Sequence, residues 1–270
     1  MRNAEWKTRI PNSTFRIPHC VVMAITAVLL AAGYATRLYP LTKDHPKALL
    51  PLGAGTILDE VVRSLDGVRP LRKRVLVTNH RFAEPFRQWQ RARQAGVEIL
   101  DDGTDTPEAR LGAIRDLELA RRTTDPDDDL LVLGTDNLFR WRLSDFVAAA
   151  QRHRPDASLA LWEAPSAEAA TQFGVVVRDR SSRITAFVEK SPQPPSKEVA
   201  LCVYYFPAAM CGQIRRFIEE GGNPDAPGYF LEWLVRRGRV YGIMMPGAWY
   251  DIGSTESYQT VLDAWQGGEA

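Results

Sequence analysis

Over the first half of the chain, short mostly apolar runs alternate with stretches of helical spacing. Residues 28–32, 75–78, 97–100 and 130–133 are the runs and read as strands, the continuous apolar run 28–32 with the composition of one buried on both faces. Between them, Ile57, Val61, Val62 and Leu65 recur as one helix face, as do Phe82, Phe86, Trp89 and Ala92. Ala113, Ile114, Leu117 and Ala120 follow, then Leu143, Phe146, Val147 and Ala150. Strand and helix in alternation imply right-handed crossovers, and so an α/β fold with a Rossmann-like, doubly wound, mostly parallel sheet.

Beyond Pro155 the pattern changes. Residues 157–162, 174–177, 184–188 and 199–206 read as strands, and Asp179-Arg180-Ser181-Ser182 joins two of them as a hairpin. Helices over 214–218 and 230–235, a strand over 240–245 and a helix from 254 to about 266 complete the second half. It is therefore expected to be a more antiparallel subdomain. Residues 1–22 carry Pro11, Asn12, Ser13 and Pro18 without any period and are expected to be a disordered extension. The domain is expected over 23–266, divided into halves at 23–155 and 156–266.

Composition narrows the function classes. At 270 residues, 45% hydrophobic and 25% charged, the chain has enough apolar material for one sizeable core. A net charge of +1 gives no reason to expect nucleic acid or a membrane as partner, so any basic site must be local. Cys20, Cys202 and Cys211 show no paired spacing, which suits free thiols in the cytoplasm. The apolar stretch 20–32 after Arg2, Lys7 and Arg9 superficially resembles a signal peptide, but it contains the first strand and is not read as one. Trp233 and Trp265 are candidates either for a homodimer surface or for the core.

The chemistry concentrates where the first strand stops. Leu30-Ala31-Ala32-Gly33-Tyr34-Ala35-Thr36-Arg37 leads after a short loop to Pro46-Lys47. Gly33 would let the backbone turn sharply, small residues at Ala35 and Thr36 would admit an anion, and Arg37 and Lys47 would neutralise it. The same residues also suit an ordinary βα turn with a solvated rim. Asp136 follows the strand at 130–133 across Gly134 and Thr135, and Asp251 lies in Trp249-Tyr250-Asp251-Ile252-Gly253, with Ser254 as a helix N-cap. Each aspartate is either a ligand for Mg²⁺, which takes only one or two protein carboxylates, or a turn former. Asp127-Asp128-Asp129 is expected to be solvated loop.

The segment from Leu30 to Arg37 with Pro46-Lys47 resembles the signature LxAGxGTR followed by PK of the sugar-phosphate nucleotidyltransferases. That family includes glucose-1-phosphate thymidylyltransferases and mannose-1-phosphate guanylyltransferases. Ala35 stands in place of the family's second glycine. Leu133-Gly134-Thr135-Asp136-Asn137 looks like its GD motif with Thr135 interposed, and residues 249–255 are similar to its WxDxGT segment. Glu189-Lys190 is similar to its EKP motif, with Ser191 for the proline.

The resemblance implies a nucleoside triphosphate and a sugar 1-phosphate as partners and Mg²⁺ as cofactor, held by Asp136 and Asp251. Arg37 and Lys47 would be catalytic. Leu30, Ala32, Gly33, Tyr34, Ala35 and Thr36, with the base-recognition segment Asp102-Gly103-Thr104, would bind nucleotide. Gly174, Glu189, Lys190 and Tyr204 would bind the sugar phosphate in an antiparallel acceptor-binding subdomain. Two alternatives stand beside this reading. One is a cytidylyltransferase for a small non-sugar phosphate or phosphonate. The other, suggested by the departures at Ala35, Thr135 and Ser191, is a catalytically weak nucleotide-binding subunit.

Overall fold

The computed structural model describes residues 23–266, so the extension expected over 1–22, with Cys20, lies outside them. The first half runs β1 (Ile25–Leu30), β2 (Pro51–Leu52), β3 (Gly55–Thr56), α1 (Ile57–Ser64), β4 (Leu71–Thr78), α2 (His80–Arg93) and β5 (Glu98–Asp101). It continues with α3 (Ala113–Arg121), β6 (Asp129–Gly134), β7 (Asn137–Phe139) and α4 (Leu143–Gln151). The second half runs β8 (Ala157–Glu163), α5 (Ala167–Ala170), β9 (Gly174–Arg178), β10 (Ile184–Glu189) and β11 (Glu198–Phe206). It ends with α6 (Ala208–Glu219), α7 (Pro227–Arg237), β12 (Val240–Met244), β13 (Trp249–Asp251) and α8 (Thr255–Gln266). No helix among the described residues is long and apolar enough to cross a membrane.

Nine strands form one mixed sheet, in the order β10-β9-β11-β6-β1-β4-β5, with β8 joining β11 to β12. Strands β6, β1, β4 and β5 are parallel, as the alternating pattern requires. The antiparallel strands extend the same sheet, because β11 pairs with β6. Side chains of β1 explain its continuous apolar run. Ile25, Ala27 and Leu29 enter one buried cluster and Val28 the cluster on the opposite face.

Helix starts follow from local chemistry. Thr56 Oγ1 accepts the Asp59 N–H at 3.2 Å while Asp59 accepts the Thr56 N–H at 2.7 Å, a reciprocal cap for α1. Asn79 accepts the Phe82 N–H at 3.0 Å to start α2, and its amide donates to the Ala32 carbonyl at 3.0 Å. That second bond ties the helix to the loop after β1. Ser254 Oγ accepts the Ser257 N–H at 3.2 Å, the expected cap of α8.

One expectation is corrected. Asp128 and Asp129 are not solvated, being 2% and 0% exposed. Thr26 donates to Asp128, and Asp129 accepts from Arg154, Tyr205 and the Ala208 N–H, which anchors the entry to β6. Trp233 and Trp265 are partly buried, packed against the two clusters of the core, and each carries an arginine over its ring. Arg237 lies over the Trp233 ring and Arg140 over Trp265, at 4.4 and 4.0 Å. Strand β6 pairs with β1 without a bulge through Leu30 opposite Gly134, so the sheet is regular up to the residue before Thr135.

One element went unforeseen. Strands β7 and β13, each three residues long, form a small antiparallel ribbon with Asp251 opposite Asn137 and Trp249 opposite Phe139. The Ile252 N–H donates to the Asp136 carbonyl at 3.2 Å. The ribbon brings two segments about 115 positions apart to the carboxyl end of β6, the edge where open α/β sheets bind ligands.

Candidate active site

A cleft of about 590 Å³ opens at this edge. Seven of the expected site residues line it: Arg37, Asp136, Gly174, Glu189, Lys190, Tyr204 and Asp251. Lys47 reaches the same place from below. Its ammonium donates to Asp136 Oδ2 at 2.6 Å and to the Ile252 carbonyl at 2.9 Å. Asn137 completes the shell, donating to Asp136 Oδ1 at 2.8 Å and accepting from the Trp249 indole at 2.9 Å.

The electrostatics distinguish the two aspartates. Burial opposes charge on Asp136, but the Lys47 ammonium and the Asn137 amide hold its carboxyl below the usual range. Asp251 has the opposite balance. Burial, and then the neighbouring Asp136 charge, push it up to about 6 against the pull of Lys47 and Arg37. Two hard oxygen donors in mutual repulsion suit one divalent cation, and Mg²⁺ needs no more protein carboxylates than these. Among the described residues no group of three or more His, Cys, Asp or Glu is placed to hold a metal, so the zinc type of site is absent there.

The residues expected to meet the sugar phosphate are set by close packing. A Cβ at Gly228 would fall 1.8 Å from Glu189 Oε2, and one at Gly174 would fall 2.5 Å from the Phe187 ring and 2.9 Å from Glu189 Oε2, so the carboxylate in this position lies against the backbone of both glycines. Glu189 thereby sits against the first turn of α7, and burial raises its pKa despite Lys190 beside it. Lys190 is held at a left-handed φ of 46°, its Nζ 3.9 Å from Glu189. Non-glycine strain of this kind gathers at functional sites. Tyr204 faces the cleft, while Tyr205 points to the other face and Asp129. Burial pushes the Cys202 thiol in the cleft wall up to about 12, so it stays protonated and is no nucleophile.

The expected nucleotide residues lie beside this cleft and outside its lining. The turn after β1 is not made by Gly33. Among the described glycines Gly33 is not at positive φ, and the left-handed residue is Ala35, at φ 48° and ψ 43°. Gly33, Thr36 and Arg37 are exposed. Tyr34 is 5% exposed and its hydroxyl donates to the Thr104 carbonyl at 3.0 Å, so its side chain ties together the two expected nucleotide segments. The carbonyls of Leu30 and Ala32 are taken. Thr135 donates to Leu30 through N–H and Oγ1 at 3.3 and 2.9 Å, and Asn79 to Ala32. Gly103 is exposed at φ 78°. Asp102 Oδ1 accepts from Thr104 N–H and Oγ1 at 2.7 and 2.8 Å, leaving Oδ2 buried without a partner.

Several features were missed in the sequence. Trp162, Phe173 and Trp249 form an aromatic wall of the cleft, with Trp249 5.3 Å from Trp162 and 5.1 Å from Phe173 between ring centres. Trp249 lay in a motif and Phe173 directly precedes the expected Gly174. Trp162 is placed by the pairing of β8 with β11. Asp116, on α3, is 5% exposed with a buried, unpartnered Oδ1. Burial, with Asp102 nearby, lifts its pKa to about 8. Gly112, at φ 88°, opens α3 against the Pro224 backbone, and Arg110 grips Asp225 across the same junction.

A family model described as Nucleotidyl transferase matches residues 26–266. The glucose-1-phosphate adenylyltransferase of Thermotoga neapolitana is 26% identical over 257 residues, covering 87% of this chain and 59% of its own. The mannose-1-phosphate guanylyltransferase catalytic subunit beta of Danio rerio is 28% identical, covering 87% of this chain and 62% of its own. The chain thus spans about three fifths of the length of those two relatives. The UTP–glucose-1-phosphate uridylyltransferase AglF of Haloferax volcanii is 28% identical and covers 85% of this chain and 92% of its own. A crystal structure of UDP-glucose pyrophosphorylase with UDP-glucose shares the fold at a TM-score of 0.76 and 18% identity, covering 91% and 99% of the two chains.

Left-handed backbone costs an alanine roughly 1–2 kcal/mol, against about 0.4–1 kcal/mol for the extra unfolded-state freedom of glycine. Ala35→Gly should therefore stabilise the fold by about 0.5–1 kcal/mol, read as a higher urea midpoint at unchanged slope. Asp116 supplies a pH dependence. The folded chain keeps a proton up to about pH 8 that the unfolded chain releases near pH 4 (approximately). Stability should consequently fall as pH rises between those values. Asp116→Asn should flatten that slope, with its gain in melting temperature larger at pH 8 than at pH 5 (both approximate settings for the comparison).

Proposed function

The chain belongs to the nucleotidyl transferase family, and on that premise we propose that it joins a nucleoside triphosphate to a sugar 1-phosphate, releasing pyrophosphate. The observation that carries this reading is the single cleft in which Arg37, Asp136 and Asp251 meet Glu189 and Lys190. Cations and paired carboxylates for a polyphosphate thus stand opposite an acid and a base suited to a phosphorylated acceptor. The likeness to sugar-1-phosphate transferases supports it.

In the proposed reaction an oxygen of the acceptor phosphate attacks the α-phosphorus in line. A new P–O bond forms as the bond to pyrophosphate breaks and its electron pair leaves with the pyrophosphate oxygen. Arg37 holds the β- and γ-phosphates and stabilises the leaving group, and Lys47 serves the α-phosphate. Asp136 and Asp251 would hold Mg²⁺, which when bound would neutralise charge on the reacting phosphates. Lys190 fixes the nucleophilic phosphate, while Glu189, Gly174 and Tyr204 bound the sugar. The shelf formed by Gly33 to Thr36 and Asp102 to Thr104 takes the nucleoside, so residues 23–155 act as the nucleotide half and 156–266 as the acceptor half. A reducing cytoplasm suits its triphosphate substrate and its free thiols.

One observation favours a second acceptor class. The wall of Trp162, Phe173 and Trp249 suits a quaternary ammonium through cation–π attraction as well as the apolar face of a sugar ring. Pyrophosphate release in the presence of Mg²⁺, with common nucleoside triphosphates crossed against sugar 1-phosphates and phosphocholine, separates the two. Activity with a sugar 1-phosphate supports the main reading, activity with phosphocholine alone supports the second, and silence in every combination contradicts both. Arg37→Ala should lower kcat by about 10²–10³-fold. Its melting temperature should be unchanged, because Arg37 is exposed. A normal kcat would remove Arg37 from the site.

A further inference from the structure

The two cations expected to bind phosphate are not in equivalent states. Arg37 lines the cleft and is free of any salt bridge among the described residues, whereas the Lys47 ammonium is committed to Asp136. Its contacts at 2.6 Å to Asp136 Oδ2 and 2.9 Å to the Ile252 carbonyl put it at the β7–β13 ribbon, where Asp251 also stands. Lys47 therefore occupies the seat a bridging divalent cation would need. Its side chain is 17% exposed and rises from the single helical turn Lys47–Leu49, whose backbone is fixed by Pro46 and by a Leu50 N–H to Lys47 carbonyl bond of 3.0 Å. Four flexible methylenes let the ammonium swing without moving that turn.

We infer that Lys47 is an exchangeable stand-in for the metal, and that cation entry between Asp136 and Asp251 expels it into the cleft, where it becomes available to the nucleotide phosphates. This rests on the metal-dependent reading of the site given above. Without metal, one ammonium offsets the repulsion of two carboxylates. With metal, the same ammonium would face a dication at contact distance and is driven off. Metal and phosphate then bind with positive coupling, because the first removes the partner that holds Lys47 from the second. The inference assigns Lys47 a task that Arg37 does not share.

Mn²⁺ binding followed by electron paramagnetic resonance, in the full chain without nucleotide, tests this directly. Removing the competing charge in Lys47→Met should tighten Mn²⁺ roughly 10-fold, the scale of one neighbouring unit charge near a protein surface. Lys47→Arg, which keeps the charge, should stay near wild type, and Arg37→Met should move the affinity much less than Lys47→Met does. Mn²⁺ should also increase the rate at which an amine-reactive reagent labels Lys47 in the wild-type chain, read by peptide mass spectrometry. Bound Mn²⁺ with neither Lys47→Met affinity nor Lys47 labelling altered would overturn the exchange and leave the transferase reading standing. Absence of Mn²⁺ binding in wild type and variants alike would overturn the metal site, and the exchange with it.

Discussion

Two carboxylates side by side in a half-buried cleft repel each other, and the cleft edge of the sheet is organised around keeping Asp136 and Asp251 there. Repulsion and burial are visible in the Asp251 carboxyl, which is pushed up to about 6. The β7–β13 ribbon prevents the two segments from separating, because its backbone pairing fixes Asp251 opposite Asn137. Lys47 supplies the compensating charge, and Asn137 links Asp136 to Trp249 of the aromatic wall. The proposed metal seat, Lys47 and the aromatic wall thus share one small network. A change in any member is felt by the others.

The sheet supplies the rigid frame for that network. Strands β1 and β6 lie adjacent and parallel, so their carboxyl ends deliver the loop bearing Arg37 and the turn bearing Asp136 to neighbouring positions. Thr135 closes the gap between them with two bonds to the Leu30 carbonyl. Its place in the chain looks like a disturbance of a motif, yet β6 is regular up to Gly134. Ala35 takes the left-handed turn that a glycine would adopt without strain. Departures from the family pattern are therefore absorbed by the backbone near the site without removing a charged group from it.

Legibility followed sequence distance and chemistry. The parallel strands and their helices were readable because β1, β4 and β6 are buried on both faces and the helices between them have one apolar stripe each. For Asp136 and Asp251 their places in the chain left a ligand or a turn former open, and for Glu189 and Lys190 as for them it was short motifs resembling a family that favoured a site. Nothing local in residues 137–139 or 249–251 announces a ribbon, since three-residue strands carry too little alternation to register. Asp128 and Asp129 were misjudged for a related reason. A run of acids reads as solvated, and its burial depends on Arg154, Tyr205 and Thr26, which arrive from distant positions. The tether from Tyr34 to Thr104, and the partnerless oxygens of Asp102 and Asp116, are likewise consequences of tertiary packing.

The central claim is that Asp136 and Asp251 form one metal seat facing Arg37, at the point where the triphosphate reacts. Anomalous diffraction from crystals of the protein grown with Mn²⁺ and a nucleoside triphosphate examines that claim most directly. The account predicts a manganese peak between the two carboxylates, touching a phosphate oxygen, with the terminal phosphates against Arg37. A triphosphate bound elsewhere, or a manganese peak away from both aspartates, would contradict it.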